Sequence, residues 1–304
     1  MKARVLDLAF LFGAFVSTLP AADPQLMKLV MPDVKVLVYI NVMQAKLSPA
    51  GQYVLSQMEG VAWQAGFDPR QDLIELFVVW NGAPKTANPL ALASGVFDPA
   101  RIAAAAAASG ATHETYKGVT IIHTNPAKTE GRAFLTGSIM IGGSIANLKA
   151  AIDRQSAPPS LPPSLVTLVN QSSATQDALL FTENLATSAP SDAPQVLGFG
   201  LAAPANLLQM TKSGYIGLKF GSNVAFTAQF WTDTPENAAA LAGFLQLAVN
   251  IAQAQTAQNP DIAALAKSLV ATARGSTVNI SGIVPGSQFQ QLLTPEAAVK
   301  GERK

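Results

Sequence analysis

Two runs of consecutive apolar residues in the first half of the chain have the length and composition of buried strands. Residues 36–42 read VLVYINV and residues 74–80 read IELFVVW, and both runs are rich in β-branched and aromatic residues between turn signals. Because both faces of these segments are apolar, we expect them in the middle of a sheet that is covered on two sides.

The segments that follow these runs alternate between helix and strand patterns. Helix starts are predicted at Ser48-Pro49 and Asp98-Pro99, and a third helix is predicted over residues 144–154. The helix after Asp98 runs through alanines to Ser109, where Gly110 stops it. Strands are predicted at 89–96, 112–116, 119–124, 132–136 and 138–142, with the second and third forming a hairpin around Lys117-Gly118.

The second half of the chain repeats the alternation with different spacing. Strands are predicted at 178–182, 215–220, 224–231 and 277–283, and helical segments at 205–212, 235–257, 261–274 and 287–293. Helices and strands interleave irregularly and include antiparallel hairpins. The predicted fold class is therefore α+β, with two lobes that each hold a largely antiparallel sheet with helices on one or both faces.

A proline-rich stretch marks the best internal boundary. Residues 155–164 read QSAPPSLPPS, and its four prolines favour extended structure without backbone donors. We interpret it as a linker between a first lobe at 27–154 and a second lobe at 165–293, followed by a polar C-terminal tail at 294–304.

The N-terminal segment has the order of a secretory signal peptide. Lys2 and Arg4 precede an apolar run, and small residues at Ala21 and Ala22 close it. The run is about 15 residues, shorter than the roughly 20 that span a bilayer. We expect residues 1–22 to be removed, with a mature start at Ala22 or Asp23, and retention as a membrane anchor is the alternative. The expected location is periplasmic or extracellular.

Composition narrows the classes of function further. The net charge is +1, and removal of residues 1–22 takes away two cations and one acid and leaves zero, so nucleic acid is not an expected partner. The chain has no cysteine, which excludes disulfides, thiolate metal sites and cysteine nucleophiles. With 49% hydrophobic and 13% charged residues it has the composition of a packed globular protein.

The two histidines of the chain, His113 and His123, are the first candidates for a metal or acid–base site. A two-residue Lys117-Gly118 turn pairs Thr112 with His123 and puts the two rings on opposite faces. A three-residue loop would place them side by side. Because a closed zinc site needs about four ligands, we expect ordinary sheet histidines and no metal.

Ser144 is the candidate nucleophile, since GGSIA at 142–146 nearly matches the GxSxG elbow of hydrolases, where a strand turns into a helix. In that fold the histidine follows the serine along the chain, whereas His113 and His123 precede Ser144. We therefore expect Ser144 to act as an N-cap and no residue to be catalytic.

Asp68, Arg70 and Asp72 could suggest paired carboxylates, but the segment FDPRQDL at 67–73 is more typical of a helical turn capped by Asp68. No glycine-rich phosphate loop follows a strand, so no cofactor is expected.

The second lobe should have one open sheet face. Val224, Phe226, Ala228 and Phe230 alternate with Ala225, Thr227, Gln229 and Trp231, and Val278 and Ile280 alternate with Thr277, Asn279 and Ser281. One set should meet helices, and the other set forms a neutral polar face that either meets water or binds a partner.

Three segments carry a resemblance to a known group of proteins: FDPARIAAAA at 97–106, YKGVTII at 116–122 and SIMIGGSIANLKAAIDR at 138–154. They resemble segments of uncharacterised secreted bacterial proteins built from tandem α+β units. The resemblance implies the architecture and brings no catalytic residue with it.

These observations favour an exported, non-enzymatic interaction or structural module of the cell envelope, with an unidentified protein or envelope component as partner. A membrane is a partner only if the N-terminal segment is retained. The alternative function is an extracytoplasmic hydrolase whose site has no recognised motif.

Overall fold

A computed structural model describes residues 22–57, 68–82, 88–158, 161–183, 209–254 and 266–293. The strands are β1 Val36–Asn41, β2 Leu73–Trp80, β3 Leu90–Gly95, β4 His113–Tyr116, β5 Val119–His123, β6 Glu130–Phe134, β7 Ile139–Ser144, β8 Ala178–Glu183, β9 Thr211–Lys219, β10 Asn223–Thr232, β11 Val270–Arg274 and β12 Thr277–Pro285. The helices are α1 Pro24–Leu29, α2 Val42–Ala45, α3 Pro49–Gln57, α4 Pro69–Asp72, α5 Pro99–Ala108, α6 Ile145–Arg154, α7 Pro163–Ser173, α8 Pro235–Ala254 and α9 Gly286–Leu293.

The described strands form one sheet in the order β11-β12-β10-β9-β8-β1-β2-β3-β7-β6-β5-β4, with every neighbouring pair antiparallel. The α+β class with a large antiparallel sheet is confirmed. Two separate lobes are not confirmed, because β1 pairs with β8 from Val36 opposite Thr182 to Ile40 opposite Ala178 and joins the strands of both halves.

The middle of the sheet is covered on both faces, as the apolar runs predicted. We call the face that carries Leu37 and Phe77 the front face, and α1, α6 and α7 pack on it. The opposite, back face carries Ile40 and Leu76, and α2, α3, α5 and α9 pack there. On the back face of the second half, α8 packs on β10 and β12 through side chains such as Leu241.

The predicted helix starts are confirmed at the level of single hydrogen bonds. Ser48 Oγ accepts from Gly51 N–H at 3.0 Å at the start of α3, and Asp98 Oδ1 accepts from Arg101 N–H at 2.9 Å at the start of α5. Gly110 follows α5 with φ of +81°, the left-handed backbone that favours glycine at a helix stop.

Two predicted helices in the second half are wrong at their C-terminal ends, although residues 209 and 266–268 are helical. Residues 270–274, expected at the end of a helix, form β11, because the outer edge of β12 offers backbone groups that a strand satisfies. Thr211 and Lys212, expected to end a helix, open β9. The rest of both predicted segments, apart from residues 209–210 and 266–269, lies outside the described residues.

The proline-rich stretch leads directly into a helix. The first residue of α7 is Pro163, where the missing N–H of proline costs nothing, and this helix precedes the predicted end of the linker at Ser164. Leu165 and Val169 of α7 are buried in the front-face core. Across the described residues, no helix is both long and apolar enough to cross a bilayer.

Candidate binding surface

The histidine hairpin has the two-residue turn that the sequence predicted. Tyr116 pairs with Val119, and His113 pairs with Ile122. Lys117 and Gly118 have φ of +48° and +82°, as a tight hairpin turn requires. His113 therefore lies on the face opposite His123. In the described part of the chain, no three His, Asp or Glu side chains converge as metal ligands.

His123 is buried and lines a cavity of about 250 Å³ between the end of α5 and the end of β5. Its Nδ1 atom is buried without a hydrogen-bond partner. Ser109, Thr112 and Lys128 also line the cavity, and no carboxylate is among the described lining residues. The cavity lining thus holds hydroxyl groups and an imidazole, but no described acid that would orient the imidazole.

Ser144 caps α6, as predicted from its position. Its Oγ accepts a hydrogen bond from Asn147 N–H at 3.3 Å. His123 pairs with Gly131 on β6, and Gly131 pairs with Gly143 on β7, so a whole strand separates His123 from Ser144. Two strand spacings are about 10 Å, which is beyond hydrogen-bond reach.

Asp68, Arg70 and Asp72 form one capped turn at α4. Asp68 Oδ1 accepts from Arg70 N–H at 2.9 Å, and Asp72 Oδ2 accepts from Asp68 N–H at 2.8 Å. Each carboxylate is engaged by backbone donors of its own turn, as expected for a structural role.

Among the described residues, helices pack on only one face of β9 to β12, and the front face of these strands is left without a helix. We call it the open face and define it as the front-face side chains of β9, β10, β12 and β11. Its members are Ser213, Tyr215, Lys219, Ala225, Thr227, Gln229, Trp231, Val270, Thr272, Arg274, Thr277, Asn279, Ser281 and Ile283. The helices α8 and α9 pack on the other face of these strands, so the predicted division into a helix-covered face and a polar face is confirmed.

The open face is neutral over most of its area. In its centre Gln229 Nε2 donates to Asn279 Oδ1 at 2.6 Å, which joins β10 to β12 through their side chains. Apolar side chains remain exposed towards the outer edge, with Val270 and Ile283 each 56% exposed. Polar amides and isolated aliphatic groups thus share this surface.

Aromatic side chains cluster where the open face meets α7. The rings of Tyr215 and Trp231 lie 6.0 Å apart between centroids, and Phe181 pairs with Tyr215 across β8 and β9. Partial burial raises the pKa of the Tyr215 hydroxyl above its ordinary value, so the group stays a neutral donor. The open face therefore has an aromatic border on the side of β8 and α7.

Beside the cluster is a cleft of about 280 Å³. Phe181 and Trp231 line one side, and Leu165 and Leu168 of α7 line the other. Glu183, which also lines the cleft, is paired with Lys35. The cleft can take an apolar or aromatic group while its charged rim is neutralised from within the protein.

The polar alternation of this surface can be read from the sequence, whereas the cleft cannot. The cleft exists because α7 packs over β8 and stops short of β9 and β10, which depends on the β1–β8 pairing. The available signal for α7 was its four apolar residues, Leu165, Val166, Leu168 and Val169, in a segment that begins with proline.

A second missed group is a buried carboxylate. Glu75 lies within the apolar run of β2, is 5% exposed and points to the front face. Its Oε1 accepts from Tyr39 Oη–H at 3.2 Å, and its Oε2 accepts from Asp23 N–H at 3.0 Å. Burial raises the pKa of Glu75, and the hydrogen bonds from Asp23 and Tyr39 oppose that rise.

Comparison with solved structures shows the same fold in TP0453. Its crystal form I aligns with a TM-score of 0.58 at 11% identity, over 88% of this chain and 95% of that chain. Crystal form III gives a TM-score of 0.54 at 11% identity, over 88% of this chain and 96% of that chain. No protein-family model and no curated protein matches the sequence. At this level of identity the likeness is one of fold.

Proposed function

We propose that this chain is an exported, non-enzymatic interaction module of the cell envelope and that the open face is its docking surface for a protein partner. The observation that carries the proposal is the aromatic cluster of Phe181, Tyr215 and Trp231, which lies beside a cleft on a sheet face that no helix of the described residues is seen to cover.

The composition of the open face is that of a protein interface. The cores of such interfaces are depleted in charged residues and enriched in aromatic ones, and tyrosine and tryptophan dominate their binding energy. Tyr215 and Trp231 supply large rigid contact areas next to the cleft, while Gln229 and Asn279 offer hydrogen bonds. Lys219 is already paired with Asp177 at 2.6 Å and adds little free charge.

The two halves of the chain take different roles in this proposal. The first half, residues 27–154, supplies the central strands β1, β2 and β3, on which helices or core residues pack from both faces. In the second half, α7 packs on the front face of β8, whereas the described helices that pack on β9 to β12 lie on the back face. A partner that docks on the open face would complete the second layer over this half.

Export is proposed from the N-terminal pattern of a basic end, an apolar run and two alanines, which is the order that translocation machinery recognises. The proposed location is the periplasm or the extracellular space. The absence of cysteine is compatible with an oxidising compartment.

The hydrolase alternative has weaker support. Ser144 is engaged as a helix cap, and a strand separates it from His123. The cavity beside His123 has hydroxyl groups without a described carboxylate. A serine hydrolase needs nucleophile, base and acid within hydrogen-bond reach of one another.

Affinity capture from envelope extracts tests the docking surface. The bait is the exported chain in three forms: wild type, Ser281→Arg and Ala240→Arg. Ser281 is exposed on the open face, whereas Ala240 is exposed on α8 at the opposite side of the sheet. A bulky cation at Ser281 should block docking, and the same change at Ala240 should not.

The expected result is a protein that co-purifies with wild type and Ala240→Arg and is depleted about tenfold or more with Ser281→Arg, since a central interface clash costs several kcal/mol. Thermal melting must show all three baits folded. Equal recovery with both arginine variants would contradict the assignment of the open face.

A further inference from the structure

Among the described residues, Glu75 has no positively charged partner, although it is one of their most deeply buried carboxylates. Its two hydrogen bonds come from neutral donors, the Tyr39 hydroxyl and the Asp23 N–H. Within the described ranges, no lysine or arginine forms an ion pair with it. A buried carboxylate with neutral donors alone is costly, and a cation at bonding distance would relieve that cost.

The residues beside Glu75 are those where the signal peptide is expected to end. Ala22 is 2% exposed, and its N–H donates to Ser173 Oγ at 3.0 Å. Asp23 caps α1, since its Oδ1 accepts from Gln25 N–H at 2.8 Å. The chain is therefore anchored in the front-face core at the position of the expected cleavage.

Cleavage between Ala22 and Asp23 would change the chemistry of one atom beside Glu75. Hydrolysis by a peptidase adds water across this peptide bond, so that Ala22 leaves with the new carboxylate and the nitrogen of Asp23 gains protons to become an α-ammonium. That nitrogen is the atom that lies 3.0 Å from Glu75 Oε2. An amide donor would thus be replaced by a cation at charge-assisted hydrogen-bond distance.

We propose that Glu75, together with Tyr39, forms an acceptor site for the α-ammonium of Asp23 that removal of residues 1–22 releases. The proposal rests on the proposed export of the chain. It adds that removal of the signal peptide creates a new ion pair in the folded protein. Tyr39 is fully buried, and its hydroxyl holds the carboxylate in place. Processing would thereby complete an ion pair between α1 and β2 in the middle of the sheet.

If Asp23 supplies this ammonium, signal-peptide cleavage comes before the folding of this region. Ala22 is buried in the folded chain, so a peptidase cannot reach the bond after it without local unfolding. Cleavage must therefore precede the docking of α1, and the ammonium is available when the core closes.

The test compares two forms of the full-length gene product, one exported and processed, the other retained in the cytoplasm with residues 1–22 intact. Each form is made as wild type, Glu75→Gln and Glu183→Gln, and urea unfolding is measured at neutral pH. Glu183 is the matched control, because it is exposed and pairs with Lys35 at the surface.

In the processed form, Glu75→Gln should raise the unfolding equilibrium constant about 100-fold, because it leaves a buried ammonium without its partner. In the unprocessed form the same change should alter that constant less than about threefold or lower it, since it removes an unpaired buried charge. Glu183→Gln should have the same small effect in both forms.

Two measurements on the wild-type exported protein need no variant. N-terminal sequencing should begin at Asp23, and the α-amine should be acylated about tenfold or more slowly in the folded protein than in urea, because it is buried and paired. A start at another residue, rapid acylation in the folded state, or an equal effect of Glu75→Gln in both forms would overturn the proposal. An N-terminal sequence that begins at Met1 would show that export and processing have failed. Docking on the open face is tested independently by the capture experiment with Ser281→Arg.

Discussion

Replacing Ser144 with alanine removes the side-chain oxygen that accepts a hydrogen bond from Asn147 N–H in the first turn of α6. A helix start leaves donors unpaired, and loss of an N-cap side chain costs roughly 0.5–2 kcal/mol. The lengths of the cap hydrogen bonds indicate where in this range each N-cap lies. The Ser144 bond is 3.3 Å long, whereas the corresponding bond from Arg101 N–H to Asp98 in α5 is 2.9 Å.

We therefore expect Ser144→Ala to lower the free energy of unfolding by about 0.5–1 kcal/mol and Asp98→Ala by about 1–2 kcal/mol. Ser144→Asn should retain most of the wild-type stability, because asparagine caps as well as serine. Ser144→Asp should do less well, since Ser144 pairs with Glu130 across β6 and β7 and two carboxylates would face each other.

Urea unfolding at constant pH and salt measures these differences, provided that the slopes with urea agree among variants. A fluorophosphonate probe applied to the wild-type protein tests whether Ser144 is a reactive nucleophile. The structural account of Ser144 fails if the probe labels it covalently and Ser144→Ala abolishes labelling at unchanged stability.

Two further predictions concern packing and pH. Gly214→Ala should lower the free energy of unfolding by about 1–3 kcal/mol, because its Cβ would lie 2.3 Å from a ring carbon of Phe230. Gly243→Ala, on the exposed side of α8, should raise the free energy of unfolding by up to about 1 kcal/mol. A higher melting temperature for Gly214→Ala than for Gly243→Ala would contradict both expectations. The hydrogen bond from Lys117 holds the pKa of Asp153 below its ordinary value, so its stabilisation is present above the unfolded pKa of about 4 and is lost as the pH falls towards the folded value. Asp153→Asn should flatten that part of the acid unfolding curve, and an unchanged curve would contradict the assignment.

Local features of the fold could be predicted because their causes are local. The caps at Ser48, Asp98 and Ser144 need only a polar side chain within three residues of the donor. The two-residue turn at Lys117-Gly118 fixes the register of its hairpin, and this register places the two histidines on opposite faces of the sheet.

The strand order could not be predicted, because it depends on contacts between distant residues. Val36 and Thr182 pair across β1 and β8, and no local pattern distinguishes this pairing from two closed lobes. The cleft beside Trp231 follows from that pairing, so it was missed with it. The hydrogen bond of Glu75 could not be predicted for the same reason, since its partner Asp23 lies 52 residues away in the sequence.

The central claim is that a protein partner docks on the open face, and site-specific photocrosslinking in cells that export the chain tests it most directly. A photoreactive amino acid is placed at Thr227 in the centre of the open face, and at Ala240 on α8 as the matched control. The account predicts a discrete crosslinked species from position 227 that is absent from position 240 and is lost when Trp231→Ala is added. Identical crosslinks from both positions, or none from position 227 in folded exported protein, would contradict it.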